Sequence, residues 1–197
     1  MAAKRSTGGQ RRAGTGCPER VSVGSAPATW GHLALAVSGR EVVAAAPGSS
    51  RKGAIEGLFL PAEGAEVGGW ANELARIIVE SLEAGEPLEA VVPRIEGTPF
   101  QAAVWEALRE VPPGTVTTYS DLAAGIGRPT ATRAVASACA ANRLGLIVPC
   151  HRVVRSDGSL GGYRWGEQLK RDILEAERAC GQQGPQAEAG AVSRRAA

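Results

Sequence analysis

Apolar residues in the first half of the chain alternate as in strands and later recur as in a helix. The runs HLALAV and EVVAAA flank Ser38-Gly39-Arg40, a pattern that predicts a β-hairpin. Residues 71–84 then show helical spacing, and Gly85 suits the C-terminal end of that helix. Its predicted buried stripe consists of Leu74, Ile77, Ile78 and Leu82. With a further strand expected at residues 88–93, the pattern indicates a small α/β domain over residues 24–96.

Helical patterns dominate a second domain, which is expected over residues 97–180. The sequence Thr98-Pro99-Phe100-Gln101 has the composition of a capping box, so a helix is predicted to begin there. Its apolar face consists of Phe100, Val104, Leu108 and Val111. The last helix is predicted over residues 167–179, where Glu177 shares the face of Leu169, Ile173 and Leu174.

Two shorter helices are predicted between these, over residues 119–126 and 130–142. Gly127-Arg128-Pro129 separates them, which is the spacing of a helix-turn-helix, although plain core hairpins share this spacing. The second helix, TATRAVASACAAN, carries small side chains instead of the long polar ones that read a major groove. Such a surface indicates close approach either to a narrow minor groove or to a neighbouring helix.

The two ends of the chain, residues 1–23 and 181–197, are rich in small and polar residues and are expected to be disordered. Neither a secretory signal nor a run of about 18 apolar residues is visible, so we expect a cytoplasmic protein with no membrane partner. Residues 115–170 carry seven Lys and Arg against three acidic residues, whereas residues 21–114 carry six against twelve. The basic segment suits a polyanion, although a solvated mixed surface explains the charge equally well.

Cys150 is distinguished from the other cysteines by its setting, Pro149-Cys150-His151-Arg152, after the apolar run Leu146-Ile147-Val148. Nearby cations lower the pKa of a thiol, so this position favours a thiolate nucleophile at the end of a buried strand. Inert core packing is the alternative for this residue, and it is the expected role of Cys139. Cys17 and Cys180 fall near the expected tails.

His151 and Glu177 are expected to assist Cys150. Because adjacent residues point in different directions, a direct bond between Cys150 and His151 is awkward, and a bridging water would solve the geometry. A carboxylate on a buried helix face needs a partner, and His151 is the natural one for Glu177. The chain has two His residues and no CxxC or HxxxH spacing, so no metal site is expected.

Five ordered motifs now make the chain similar to a known family. They are GTPFQAAVWEAL, TTYSDLAAGIGRP, RAVASACAAN, PCHRVVRSDGSLGGYRWG and the closing K–ILEAE. Over residues 97–177 they resemble the methylated-DNA–protein-cysteine methyltransferases, also called O6-alkylguanine-DNA alkyltransferases. The resemblance implies a single-turnover enzyme that repairs DNA by moving an alkyl group from O6-alkylguanine, and from O4-alkylthymine, irreversibly onto its own cysteine.

The resemblance also implies roles for single residues in the chemistry. Cys150 is the acceptor, His151 acts on it through water, and Glu177 completes the relay. Asn142 braces the helix-turn-helix against the active-site segment. Tyr119 helps to turn the nucleotide out of the duplex and donates toward the departing guanine.

Further residues are implied to bind the substrate. Arg133 enters the base stack where the extruded nucleotide was, and Ser120, Arg128 and Ser156 lie on the DNA backbone. The implied walls of the guanine pocket are Val153, Tyr163, Arg164 and Trp165. The partner is double-stranded DNA bound in its minor groove, without a cofactor, and the protein is expected to be a monomer.

The expected fold is α/β: a small N-terminal sheet domain resembling ribonuclease H, and a mostly helical C-terminal domain with a core like a winged helix-turn-helix. Three other functions remain open from the residues. A Cys-His-Glu hydrolase would turn over esters or amides, which the adjacency of Cys150 and His151 disfavours. A non-catalytic alkylguanine-binding protein would lack the acceptor cysteine. A helix-turn-helix regulator would need longer side chains on its second helix.

Overall fold

The computed structural model describes residues 21–60, 66–86, 88 and 91–181; the expected disorder of residues 1–20 and 182–197 lies outside these ranges. The N-terminal part is a five-stranded sheet in the order β4-β1-β2-β3-β5. Its strands are β1 (Val21–Ala28), β2 (Gly31–Ser38), β3 (Glu41–Gly48), β4 (Glu66–Val67) and β5 (Val92–Pro93). The first three form an antiparallel meander, and the two short strands pair in parallel with its edges.

The predicted hairpin is confirmed as β2 and β3, joined at Gly39-Arg40. The many alanines of this hairpin are explained by the helices that pack on both faces of the sheet. Alternate residues of β2 face α2 (Trp70–Ala84) on one side, while the small Ala34 and Ala36 pack toward α1 (Arg51–Glu56) on the other. Because β1 already begins at Val21, the expected domain start at residue 24 is three residues late.

Helix α2 and its left-handed end at Gly85 are confirmed, but the predicted buried stripe is partly wrong. Ile77 is 46% exposed, and Leu74 is only half-buried. The face that packs against the sheet is rotated toward small residues and consists of Ala71, Ala75, Ile78, Val79 and Leu82. Small side chains on both surfaces let the helix lie close to the strands, which outweighs the larger apolar side chain of Ile77.

The C-terminal part begins with α3 (Pro99–Arg109), whose predicted capping box between Thr98 and Gln101 is confirmed. Its buried face includes Val104 and Leu108, as expected. Val111 lies beyond the end of the helix. The buried face also includes Trp105, which was not predicted there and which donates its indole N–H to the carbonyl oxygen of Ala138 at 2.9 Å.

The helix-turn-helix is formed by α4 (Tyr119–Gly125) and α5 (Thr132–Ala141). Thr118 caps α4 as predicted by accepting from the backbone N–H of Asp121. Beside these helices lies a small parallel sheet of β6 (Thr117–Thr118) and β7 (Val153–Val154). Helix α6 (Glu167–Gly181) closes the domain. Within the described ranges, no helix is both long and apolar enough to cross a bilayer.

The two parts are joined through β3. Ala45 donates its N–H to the carbonyl of Arg143 at 2.9 Å, and Gly145 donates to the carbonyl of Ala45 at 2.8 Å. Trp165 adds a longer-range contact by donating its indole N–H to the carbonyl of Gly57 at 3.1 Å. The segment that leads to Cys150 is therefore fixed to the edge of the N-terminal sheet.

Candidate active site

Cys150 begins a single turn of 3₁₀ helix, Cys150–Arg152, at the end of a buried loop. The run Leu146-Ile147-Val148 is buried as predicted, but it forms a turn with isolated bridges instead of a strand. Leu146 has a φ of 70°, which interrupts the extended conformation that the sequence predicts. Cys150 itself is only 4% exposed, so its sulfur is reached through an adjoining cavity.

Asn142 holds this loop in place from the C-terminal end of α5. Its side-chain N–H₂ donates to the carbonyl of Val148 at 2.8 Å and to Sγ of Cys150 at 3.1 Å. Its side-chain oxygen accepts from the backbone N–H of Leu144 at 2.9 Å. One buried amide thus ties the end of the helix-turn-helix to the loop and to the sulfur, as the expected bracing contact requires.

His151 contacts Glu177 as expected, with Nε2 2.9 Å from Oε1 of the carboxylate. Burial opposes ionisation of Glu177, but hydrogen bonds and charges from His151 and Arg152 outweigh it and lower the carboxyl pKa to about 2. An ionised carboxylate can only accept hydrogen bonds, so Nε2 of His151 carries the proton and Nδ1 of the same ring has the lone pair. Nδ1 is buried and has no hydrogen-bond partner among the described residues.

Burial also lowers the pKa of His151, and this effect exceeds the opposing attraction of Glu177. The imidazole is therefore neutral near pH 7. A neutral ring with an unpartnered, buried lone pair is suited to accept a proton.

Glu177 is held by two groups that the sequence did not connect with it. Arg152 donates Nε and Nη2 to the carboxylate at 3.1 and 2.6 Å, and its Nη1 donates to the carbonyl of Val111 at 2.6 Å. Gly114 donates its backbone N–H to Oε2 at 3.2 Å. Gly114 has a φ of 72°, and an added Cβ would lie 3.2 Å from the carbonyl oxygen of Glu177, so this position suits glycine.

The expectation of a thiolate at Cys150 is wrong for the resting protein. Burial raises the pKa of the thiol, and this outweighs the hydrogen bond from Asn142 and the charges of Lys170 and Arg164. The two residues that suggested a lowered pKa do not supply a free cation, because His151 is neutral and Arg152 is paired with Glu177. Cys150 is therefore a protonated thiol near pH 7.

Lys170 is a buried cation that the sequence analysis missed. It is fully buried, and its Nζ donates to the backbone carbonyls of Val153 and Leu160. Its position could have been found, because Lys170 lies three residues before Ile173 and four before Leu174 on the apolar face of α6. These two hydrogen bonds fix the segment that runs from β7 to the cavity wall. The ammonium group of Lys170 also places a positive charge near the sulfur of Cys150.

A cavity of about 320 Å³ opens beside the sulfur of Cys150. Its lining consists of Tyr119, Ala136, Cys139, Ala140, Cys150, Gly162, Tyr163 and Arg164. Tyr119, Tyr163 and Arg164 were predicted here. Cys139 was expected only to pack, yet it also faces the cavity; burial raises its thiol pKa to about 12.

Two predicted pocket residues do not line this cavity. Val153 is fully buried in β7, where its carbonyl accepts from Lys170. Trp165 lies behind Tyr163, with ring centroids 5.2 Å apart in an edge contact, and packs against the N-terminal part. A sequence motif cannot show which of two adjacent aromatic residues faces inward. The structure assigns that position to Tyr163.

The residues expected on DNA are all on the surface. Arg133 is exposed in the first turn of α5, and Arg128 is exposed in the turn before it. Ser120 is exposed at the start of α4, with its hydroxyl 2.8 Å from that of Thr118, and Ser156 is exposed after β7. Tyr119, at the start of α4, connects this surface to the cavity.

The fold and site together define a helix-turn-helix protein in which a buried cysteine thiol, beside a buried, neutral histidine, adjoins a cavity. The profile of the family described as 6-O-methylguanine DNA methyltransferase, DNA binding domain, matches residues 99–179. The chain is 41% identical over 164 residues to regulatory protein Ada of Salmonella typhimurium. This covers 81% of the chain and 46% of Ada. It is also 44% identical over 110 residues to the methylated-DNA–protein-cysteine methyltransferase of the same organism, covering 56% of the chain and 63% of that protein.

Solved structures agree with these relatives. Mycobacterium tuberculosis OGT in complex with DNA matches with a TM-score of 0.69 and 31% identity, covering 81% of this chain and 94% of that one. The methyltransferase of Pyrococcus kodakaraensis matches with a TM-score of 0.61 and 27% identity, covering 80% and 98%. The chain therefore belongs to the O6-methylguanine-DNA methyltransferase family. It spans less than two thirds of the length of the curated relatives named above.

Proposed function

We propose that this protein repairs DNA by direct reversal, moving a methyl group from O6-methylguanine to Sγ of Cys150. The proposal rests on the surroundings of Cys150. Asn142 donates to its sulfur, the cavity opens beside it, and the next residue, the neutral His151, is held by Glu177. Membership of the family supplies the substrate class.

The first step removes the thiol proton. A water between Sγ of Cys150 and Nδ1 of His151 carries the proton to the neutral imidazole, and ionised Glu177 stabilises the imidazolium that forms. The buried, unpartnered Nδ1 supports this path. The hydrogen bond from Asn142 stabilises the developing thiolate.

The second step is displacement at the methyl carbon. Sγ forms a bond to this carbon as the bond from carbon to O6 breaks, and the electron pair passes to the guanine. Tyr119 donates a proton to the departing base; burial raises its pKa, which keeps the phenol protonated. The product thioether has no leaving group that a neighbouring residue can expel, so each molecule reacts once. The substrate carries the electrophile, so this route uses no cofactor.

DNA must present the base outside the duplex, because O6 is paired and stacked within it. Extrusion costs a few kcal/mol, and insertion of Arg133 into the stack offsets part of this cost. The exposed Arg133 and Arg128, together with small residues along α5, support binding in the minor groove. Because its substrate is DNA, the protein is expected to act in the cytoplasm, on the nucleoid of a bacterial cell.

Mass spectrometry after incubation with an O6-methylguanine duplex tests the proposal. We expect the peptide that holds Cys150 to gain one methyl group in place of its thiol proton, and Cys150→Ala to gain none. Cys139→Ala is the matched control, since this thiol lines the same cavity and should be dispensable. Repair of several lesions per protein molecule would contradict the proposal and favour a hydrolytic enzyme.

A further inference from the structure

A loop of the N-terminal part supports the wall of the cavity that holds Cys150. Gly57 accepts the indole N–H of Trp165, and the ring of Phe59 lies under the guanidinium of Arg164 at 4.7 Å. Tyr163, which precedes these two residues, faces the cavity. Arg164 of the cavity wall and Trp165, which lies behind the wall, are therefore held by one loop that belongs to the other part of the chain.

Phe59 itself has two unusual features. Its φ of 52° is in the left-handed region, where a bulky side chain is strained, and its side chain is 60% exposed. Neither feature is explained by core packing. The main described contact of its ring is the face of the Arg164 guanidinium, so the strained conformation serves this contact.

Arg164 lines the cavity but has no carboxylate partner within the described ranges of the chain. Its Nη1 donates to the backbone carbonyl of Ala140 at 3.1 Å, and Phe59 covers one face. Stacking uses the face of a guanidinium, while its N–H donors lie in the plane around its edge. The side chain is therefore fixed in position with donors and a positive charge left for an anion.

We infer that Phe59 holds Arg164 at the mouth of the cavity so that Arg164 binds a backbone phosphate of the nucleotide whose base enters. This inference rests on the proposed function. When a base is extruded, its phosphate stays outside the pocket near the entrance, and a planar, always-charged guanidinium is matched to it. Arg164 is then a substrate-binding residue, and Phe59 is a positioning residue that acts through it.

The test compares two substrates that differ in the phosphate. Single-turnover methylation of Cys150 is measured with an O6-methylguanine duplex and with free O6-methylguanine base. We expect Arg164→Ala to slow the reaction with DNA about ten-fold, the scale of one lost charged hydrogen bond, and the reaction with the base less than about two-fold. Arg164→Lys should recover part of the loss, because it keeps the charge but not the planar fork. The matched control Arg171→Ala removes an exposed arginine of α6 and should change neither rate.

Phe59 variants test the positioning role. Phe59→Leu should slow the DNA reaction about three-fold, the scale of one cation–π contact, whereas Phe59→Tyr keeps the ring and the rate. In Arg164→Ala, the added Phe59→Leu change should cause no further loss, since Phe59 acts through Arg164. Trp70→Leu, which alters another half-exposed aromatic side chain, is the matched control.

Two results would overturn the inference while leaving the proposed function intact. Equal slowing of both substrates by Arg164→Ala would mean that Arg164 shapes the cavity instead of binding phosphate. Additive losses in the double variant would mean that Phe59 does not act through Arg164. A wild-type chain that is methylated by neither substrate would overturn the proposed function together with the inference.

Discussion

At the scale of single residues, Glu177 connects most of the polar groups around the nucleophile. It accepts from His151 and from the fork of Arg152 in a buried setting, and from the backbone N–H of the half-buried Gly114. Its negative charge therefore fixes the tautomer of the imidazole and also neutralises a buried guanidinium. We therefore expect removal of this charge to affect both methyl transfer and stability.

We predict that Glu177→Gln slows methyl transfer by about ten-fold or more and lowers the free energy of unfolding by about 3 kcal/mol, because Arg152 then keeps a buried charge without a partner. Single-turnover rates and urea unfolding measure the two effects. Glu175→Gln changes an exposed carboxylate of the same helix and serves as control. DNA affinity should stay nearly constant; an unchanged transfer rate would argue against the relay.

The pH dependence of stability follows from the same carboxylate. The folded-state pKa of Glu177 is about 2, below its ordinary value of 4.5, so the unfolded chain binds more protons as pH falls. Its stabilising effect is complete above about pH 5 and is lost toward pH 2. We expect the difference in urea midpoint between wild type and Glu177→Gln to shrink over this window. A constant difference would show that the charge of Glu177 is not what stabilises the fold.

The pH dependence of the reaction depends on His151. Burial lowers its pKa below 6.5, and burial raises the pKa of the Cys150 thiol above 9.0. We predict a transfer rate that is level around pH 7 and falls only when the buried imidazole becomes protonated. In His151→Ala the rate should be at least about 100-fold lower at pH 7 and should rise with pH toward the thiol pKa. Profiles of the same shape in both proteins would exclude His151 as the base.

At the scale of elements, the active-site loop is held by the end of one helix. Asn142 follows the last residue of helix α5, and its side chain supplies a partner for the N–H of Leu144, a second donor to the carbonyl of Val148 and a donor to the sulfur of Cys150. The loop contains no regular strand, so these hydrogen bonds substitute for a ladder. The geometry of the nucleophile is consequently coupled to the helix-turn-helix.

Replacement of Asn142 by Ala should lower the free energy of unfolding by about 2–4 kcal/mol, since it leaves the buried N–H of Leu144 without a partner and removes one of the two donors to the carbonyl of Val148. It should also slow methylation of Cys150 by the free base. Asn72→Ala is a matched control, because Asn72 accepts from the backbone N–H of Ser25 far from the cavity. That variant should lose stability without a change in the rate. Equal rates in the two variants would refute a role for Asn142 at the sulfur.

At the scale of the whole molecule, Trp165 packs between the two parts of the chain. Gly57 and Gly145 make room for it: an added Cβ would lie 3.0 Å from the indole ring at Gly57 and 2.7 Å from it at Gly145. The sheet of the N-terminal part thus contributes to the site through packing, although the proposed chemistry lies in the C-terminal part. This arrangement explains why both parts belong to one structural unit.

Gly145→Ala is therefore expected to destabilise the protein by about 2 kcal/mol or more, because the new methyl group overlaps the indole ring and the ring of Pro47. Trp165→Leu should recover part of this loss when the two changes are combined, as neighbours in contact do not behave additively. Urea unfolding of the two single variants and the double variant measures the coupling. Gly125→Ala, where a Cβ meets open space, is the control.

Helices with strong local signals could be predicted from the amino-acid sequence alone. The capping box at Thr98, the cap at Thr118 and the left-handed end at Gly85 depend on neighbouring residues, so a pattern is sufficient to find them. The contact between Glu177 and His151 was also predictable, because a carboxylate on a buried face requires a partner.

The side chains around the sulfur of Cys150 and the protonation state of its thiol could not be predicted from local patterns, because both depend on how distant elements pack. The inward position of Tyr163, the burial of Lys170 and the support from Phe59 each depend on residues distant in the sequence. The raised pKa of Cys150 has the same origin, since desolvation is set by every element packed around the thiol. Local patterns specify hydrogen bonds along a helix, whereas burial and cavity shape arise when separate elements pack together.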